Sequence, residues 1–135
     1  MSSLAGEALA MIATIGELVY TVAVLVQLFG DRVKNIPVIV VTDSRNLDEA
    51  VKSSGLVQDS WLIPDIAVIK EALEQQTMNV ICRVTSEEML SNCLTKSGAN
   101  GLKLLDVLRT GEYELPGGWP EYVDKRSDPA NVILY

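Results

Sequence analysis

The stretch from residue 8 to residue 29, ALAMIATIGELVYTVAVLVQLF, contains a single charged residue, Glu17. A run of this length is long enough to cross a bilayer as a helix. Weakly polar residues recur at helical spacing along it, and Gly30 follows as a helix terminator. The pattern predicts a helix from about Ser3 to Phe29. Because this helix is apolar nearly all round, it needs cover on more than one face.

Two observations favour protein over lipid as that cover. Glu17 lies near the middle of the run, where a carboxylate in hydrocarbon is costly. No lysine or arginine occurs before Arg32, so neither a signal-peptide start nor a positively charged flank is visible there. We therefore expect a helix buried in a protein assembly, with Val22 and Val26 among the partner contacts. Membrane contact through residues 8–29 stays open as the alternative.

The charge and residue content exclude several classes of function. With 11 basic and 18 acidic residues in 135, the net charge of −7 argues against a basic surface for nucleic acid. The absence of histidine excludes Ser-His-Asp and Cys-His catalysis and any histidine metal ligand. Cys82 and Cys93 have neither metal-ligand nor redox-motif spacing, which predicts two buried, reduced thiols in an intracellular protein, with one disulfide as the alternative if the chain is secreted. The compartment stays open, including a membrane-associated complex.

The remaining pattern alternates strands with helices, which predicts an α/β fold with parallel pairing. Residues 38–42 and 78–84 are predicted strands. Predicted helices run from Asn46, as cap, to about Ser53, and from Asp59 to Gln75 with Ile66, Val68, Ile69 and Leu73 inward. A further helix is predicted from the Thr85–Glu88 capping box through Met89, Leu90, Cys93 and Leu94, and a last one from Gly101 to Arg109.

Two strands are too few for an independently stable sheet. We therefore expect another protein chain to cover the open strand edge near Val38 and Val40. The residues from 114 onwards read as an irregular tail. Its large side chains are either ordinary tail residues or anchors on a partner, and the predicted contacts are Trp119, Tyr122 and Tyr135, with Ile133 and Leu134 beside the last.

Three short motifs occur in an order that resembles one known family. They are S-S-x-A-x-E at Ser2–Glu7, Thr42-Asp43-Ser44 after a strand, and VTSEEMLSNCLTK at Val84–Lys96. The order is similar to that of the ribonuclease H domain of copia-type retrotransposon polyproteins. The resemblance covers residues 1–113 and implies a partial ribonuclease H-like fold. That fold would have a long first helix, two parallel core strands and flanking helices, and would lack the family's first three strands. Residues 114–135 would be the irregular tail.

The resemblance also implies where a metal site would lie. Enzymes of this family hold two Mg²⁺ ions with four carboxylates, because hard divalent cations prefer oxygen ligands. Glu7 and Asp43 match two of those ligands, whereas Asn92 places a neutral amide where a carboxylate is expected. The family's first aspartate lies on a strand that precedes the long helix. Each candidate also has an ordinary interpretation: a helix-dipole carboxylate for Glu7, a turn cap for Asp43, and an exposed helix residue for Asn92.

With two of four carboxylates, we expect a non-catalytic structural subunit that derives from such a domain and is held in a larger protein assembly. No cofactor is expected for that function, and nucleic-acid binding is not expected. One alternative is a Mg²⁺-dependent ribonuclease H that acts on RNA–DNA hybrids once the missing strands are supplied. A second alternative is an accessory subunit of a membrane complex.

Overall fold

The computed structural model describes residues 4–33, 35–53, 60–95, 98 and 101–120. It is a mixed helix and strand structure, as the sequence predicts. The helices are α1 (Leu4–Phe29), α2 (Arg45–Lys52), α3 (Ile63–Glu74), α4 (Asn92–Thr95) and α5 (Leu102–Thr110), and the strands are β1 (Ile39–Thr42) and β2 (Val80–Arg83). Short 3₁₀ turns occupy Gly30–Val33 and Ser60–Leu62.

The strands β1 and β2 pair in parallel, with Ile39 opposite Val80 and Thr42 opposite Arg83. Parallel neighbours need a crossover connection, which α2 and α3 provide. The entry to β1 is held by Asn79, whose side-chain oxygen accepts from the Val38 N–H at 2.7 Å. The Asn79 N–H in turn donates to the Val38 carbonyl, also at 2.7 Å. The predicted parallel pairing is confirmed.

Two apolar clusters lie on opposite faces of this strand pair. The first contains Val38, directly before β1, and Val40 of β1, together with side chains of the helices; its most deeply buried members are Ala8, Leu47, Ile66, Ile69 and Met78. The second contains Cys82, Val84 and Leu115, with Ile39 and Val41 packed against it. Because side chains alternate along a strand, consecutive β1 residues enter different clusters. Both faces of β1 are therefore covered within this chain.

The start of α2 differs from the sequence expectation. The N-cap is Ser44 rather than Asn46: the Ser44 hydroxyl accepts from the Leu47 N–H at 3.2 Å. Asn46 lies inside the first turn and is exposed. The first N–H groups of a helix have no partner within the helix, and the hydroxyl of an extended serine directly before it can accept from one of them. The helix therefore begins directly after Ser44, the earlier of the two possible capping residues.

The inward face of α3 also differs at one position. Ile66 and Ile69 are buried as predicted, but Val68 is 43% exposed and Ala72 is buried in its place. Positions three apart share a helix face, whereas Val68 lies about 200° from Ile66. The prediction for Val68 is wrong because it relied on the apolar side chain, whereas the helical repeat places this position on the outer face of α3.

The helix predicted from Thr85 is much shorter than expected. The capping-box contacts do form, since Glu88 Oε1 accepts from the Thr85 N–H at 3.1 Å and from its hydroxyl at 2.8 Å. Residues 86–88 nevertheless form a turn, and regular helix is confined to α4. Leu94, within α4, is 73% exposed. The capping hydrogen bonds therefore form without a regular helix following them, because a short helix depends on tertiary packing for its stability.

Several sequence predictions fall outside the described residues. They concern Ser2, Ser3, Asp59, Lys96, Tyr122, Ile133, Leu134 and Tyr135. Within the described part, α1 ends as expected, and Gly30 adopts a φ of +65°, which glycine tolerates best. Cys82 and Cys93 are both free thiols, and Cys82 is buried as predicted, whereas Cys93 is half-buried.

Candidate functional site

The helix α1 divides into two halves with different environments. In the proximal half (residues 4–18), Ala8 and Met11 are buried in the first cluster. The partly buried residues packed against that cluster continue the same stripe at helical spacing: Leu4, Ile12, Ile15, Leu18 and Val22. Val22 is the last α1 side chain that belongs to either core cluster. The core of this chain therefore reaches only partway along the helix.

The distal half of α1 (residues 19–29) is apolar and mostly exposed, and past Val22 none of its described side chains packs against either cluster. Tyr20 and Leu28 are each 69% exposed, and Phe29 is 57% exposed. No charged residue lies between Glu17 and Asp31. The predicted partner contact Val26 is half-buried and lies on this segment. Large contiguous apolar surfaces are uncommon on soluble monomers, and those that occur often mark sites of interaction with a protein or a membrane.

Length and composition alone would allow this helix to cross a membrane. The span Leu4–Val33 is the one candidate among the described residues, and 11% of its apolar window is buried. However, its proximal half packs against the core. The distal half rises only about 17 Å at 1.5 Å per residue, whereas the hydrocarbon core of a bilayer is about 30 Å thick.

A second unpartnered surface is the outer edge of β1. The Thr42 carbonyl accepts from the Val84 N–H at 2.9 Å, and Val38 bonds to Asn79, so even-numbered residues of β1 face β2. Backbone groups alternate in direction along a parallel strand. The N–H and carbonyl groups of Ile39 and Val41 therefore point to the opposite edge. In the described part of the chain, the sheet contains no strand on that side.

The side chains of Val38 and Val40 were predicted to contact a partner, but they are 8% and 6% exposed and lie inside the first cluster. The strand itself is open at its edge, while its side chains are covered. The available contact at β1 is thus the backbone rather than these valines.

The three residues that the resemblance places in a metal site occupy separate elements. Glu7 is half-buried in the first turn of α1, Asp43 is half-buried directly after β1, and Asn92 is half-buried at the start of α4. Among the residues that the structure describes, no group of three or more acidic, cysteine or histidine side chains is placed to hold a metal ion. Glu7 lies near the start of α1 and Asp43 directly after β1, each at the end of an element that flanks the core.

Trp119, also a predicted partner contact, packs against this chain. Its ring meets Tyr113 edge-on, with centroids 6.0 Å apart and planes at 84°, and it stays 51% exposed. The Lys103 ammonium lies 5.9 Å from the Tyr113 ring centroid. Burial raises the pKa of the Tyr113 hydroxyl. Sequence reasoning missed Tyr113 and Lys103, because contacts between α5 and the segment after it leave no periodic signal.

A surface depression of about 690 Å³ lies beside these aromatic residues, and Glu7, Asp43 and Asn92 do not line it. It is open to solvent, so its shape alone supports no assignment of a ligand. A further missed feature is the exposed leucine row of α5, formed by Leu102, Leu105 and Leu108. Spacing of three residues could have revealed it.

Comparison with known proteins gives no relative for this chain: no family model, no curated protein and no solved structure matches it significantly.

Proposed function

We propose that this chain is a non-catalytic interaction subunit in which another protein chain covers the distal half of α1. The observation that carries the proposal is the exposed apolar surface around Tyr20, Leu28 and Phe29. Burying a large apolar side chain contributes about 1.5–3 kcal/mol, so an interface here would recover several such contributions. The partner would be a protein with a complementary apolar groove or helix face.

The same proposal includes an origin in a retrotransposon ribonuclease H domain. Its support is the order of the three motifs, together with a long first helix that packs beside two parallel strands. The non-catalytic part rests on the ligand set: Glu7 and Asp43 are two carboxylates where four are needed, and Asn92 contributes only a neutral oxygen. Two anions would hold two adjacent Mg²⁺ ions poorly.

The test compares two variants with the same added charge on neighbouring exposed positions. Leu28→Glu places a carboxylate in the apolar surface, whereas Gln27→Glu places one at an exposed polar position. We expect the wild-type chain, purified alone, to self-associate in sedimentation velocity. Leu28→Glu should be largely monomeric, while Gln27→Glu should behave as the wild type. A wild-type chain that is monodisperse and stable on its own would overturn the proposal.

Co-purification of the tagged full chain from its source cells then addresses the partner. We expect a stoichiometric protein that binds the wild type and Gln27→Glu and is lost with Leu28→Glu. Carbonate extraction separates the membrane alternative: a chain with a spanning helix resists release, whereas a peripheral or soluble subunit is released.

A second candidate function is Mg²⁺-dependent ribonuclease H activity in a completed assembly. One observation favours it: Asp43 directly follows β1, and Glu7 precedes the fully buried Ala8, so both carboxylates are held by ordered elements. The assay is cleavage of an RNA–DNA hybrid with Mg²⁺ or Mn²⁺ by the reconstituted assembly. Activity that disappears in both Glu7→Gln and Asp43→Asn would establish this candidate and displace the non-catalytic one. No activity in any reconstituted form would remove it.

A further inference from the structure

We propose that the surface depression between α5 and the segment after it binds an organic cation of the quaternary ammonium class, held against the rings of Tyr113 and Trp119. The residues that line this depression all lie between Lys103 and Trp119. It is therefore a different surface from the distal half of α1, and the inference does not rest on the proposed function. Its open shape assigns no ligand, but the chemistry of its side chains does.

The first step concerns how the two rings are brought together. Tyr113 precedes and Trp119 follows a turn in which the Gly118 N–H donates to the Leu115 carbonyl at 2.9 Å. Gly117 and Gly118 adopt φ values of +82° and +87°, in the left-handed region that glycine favours. Leu115 is 7% exposed and belongs to the second cluster, so the turn is anchored in the core. The rings are therefore placed next to each other by the fold itself.

The second step concerns the geometry of the rings. They meet edge to face, with centroids 6.0 Å apart and planes at 84°. The face of an aromatic ring carries the negative part of its quadrupole and attracts a cation, and recognition of quaternary ammonium groups depends on this attraction. Two rings at right angles can bound a small cation on two sides. Trp119 is 51% exposed, so a ligand from solution can reach it.

The third step concerns a cation that already lies at this site. The Lys103 ammonium is 5.9 Å from the Tyr113 ring centroid, and Lys103 lines the same depression. That separation is near the outer limit of about 6 Å for a cation–π contact. A lysine ammonium is strongly hydrated and gives up water when it approaches a ring. A quaternary ammonium is weakly hydrated and needs no hydrogen-bond acceptor, so it can approach the rings more closely than Lys103 does.

The fourth step concerns the charge around the depression. Glu112 and Glu114 line it and are exposed. The ion pairs among the described residues include neither of these carboxylates. Asp106 also lines the depression, but it pairs with Arg109 at 2.8 Å. Together with the net charge of −7, the two carboxylates favour a cation over an anion or a neutral ligand.

The test is an NMR titration of the full chain with choline chloride at constant ionic strength, followed through the indole N–H signals of its two tryptophans. All forms carry Leu28→Glu, so that association through α1 does not broaden the signals. We expect the Trp119 signal to shift and saturate. The signal of Trp61, which is 65% exposed and does not line the depression, should stay in place. The neutral analogue of choline, in which a carbon atom replaces the nitrogen, should give no saturable shift.

The contribution of the rings is tested at Tyr113, because Trp119 then remains as the readout. Tyr113→Leu keeps an apolar side chain but removes the ring, and it should weaken choline binding by about fivefold. The matched variant Tyr113→Phe keeps the ring and should bind choline as the parent does. The dispersion of the backbone amide signals shows whether each variant is folded.

The contribution of charge is tested with substitutions of opposite expected sign. Glu114→Gln removes a carboxylate from the depression and should weaken binding by about twofold to threefold. Glu74→Gln removes the same charge from the exposed end of α3 and should have no effect. Lys103→Met removes the competing ammonium of the chain itself and should strengthen binding. A purely structural role of Lys103 would not make the affinity higher.

Three results would overturn the inference. The first is a Trp119 signal that does not respond to choline, and the second is an equal response to choline and to its neutral analogue. The third is an equal loss of affinity in Glu114→Gln and Glu74→Gln, which would assign the binding to the overall charge of the chain.

A last comparison identifies the source of the cation. A short peptide that carries one trimethylated lysine is titrated in parallel with choline. Binding of the peptide at least tenfold tighter than that of choline would identify a methylated protein segment as the ligand. Equal affinities would identify a free quaternary ammonium compound. Both results support the site, because both depend on the same cationic group.

Discussion

The two halves of α1 have similar apolar composition, but the buried side chains of the helix, Ala8 and Met11, both lie in the proximal half. Ala8 in the proximal half is fully buried, whereas Leu28 in the distal half is 69% exposed. The difference arises from what lies beside each half: α2 and α3 pack against α1, and among the described residues neither core cluster extends along α1 past Val22. Apolar composition therefore shows that a segment needs cover, but it does not identify the molecule that supplies it.

The largest effect should come from the proximal half. Met11 is 5% exposed in the first cluster, and Met11→Ala should lower the free energy of unfolding by about 2–5 kcal/mol through lost burial and a cavity. Urea unfolding followed by circular dichroism, in the Leu28→Glu background, measures it. A loss below about 0.5 kcal/mol, typical of surface positions, would mean that the two halves do not differ.

The next effect concerns the entry to β1, where Val38 belongs to the same cluster as the buried α1 residues. Asn79 is 8% exposed, accepts from Val38 and donates to Gln76 at 3.0 Å. Asn79→Ala leaves the Val38 N–H without this partner and should cost about 1–3 kcal/mol. The same unfolding experiment applies. Asn79→Asp keeps the acceptor oxygen, so it should retain more stability than the alanine variant.

How far the sequence predicts this structure can be judged from these same elements. The apolar run of α1, its end at Gly30 and the alternation of strands and helices are local patterns, and the structure contains them. The Ser44 cap and the exposure of Val68 follow from local geometry that the sequence reading misjudged, whereas the short α4 depends on tertiary packing. The contact between Tyr113 and Trp119 and the burial of Val38 and Val40 involve distant or irregular segments, for which no periodic signal exists.

The metal-site residues illustrate a different limit. A motif order can suggest that Glu7, Asp43 and Asn92 once shared a site, but the number and geometry of ligands depend on every element around them. The sequence supplies the two carboxylates and the amide. Whether these three side chains act together depends on the tertiary placement of other segments, which a local sequence motif does not determine.

A smaller effect is expected in the distal half. Leu28→Ala should change the free energy of unfolding of the isolated chain by less than about 0.5 kcal/mol, because an exposed side chain contributes little to the fold. It should nevertheless weaken self-association in sedimentation velocity. A large loss of stability would show that Leu28 is covered within the chain and would remove the contrast with Met11.

The smallest effect concerns the turn before α4, which relies on local hydrogen bonds. Bonds from the Thr85 hydroxyl and N–H lower the pKa of Glu88 below its ordinary value. Because the folded-state pKa is the lower one, the capped turn is favoured above the ordinary glutamate pKa and is lost as the pH falls through the lowered value. An NMR titration of the Glu88 carboxyl should show this depressed midpoint, and Thr85→Ala should return it towards the ordinary value.

The crossover between β1 and β2 has a consequence for how the chain is made. During synthesis, α1 emerges well before α3, which covers its proximal half, and β1 emerges before its partner Val80–Arg83. At roughly 5–20 residues per second, the ribosome needs several seconds to add the intervening segment. Throughout that time the whole apolar length of α1 lacks its cover. The nascent chain therefore presents to chaperones a longer binding segment than the finished fold does, and the proximal half is withdrawn from them only when α3 has folded.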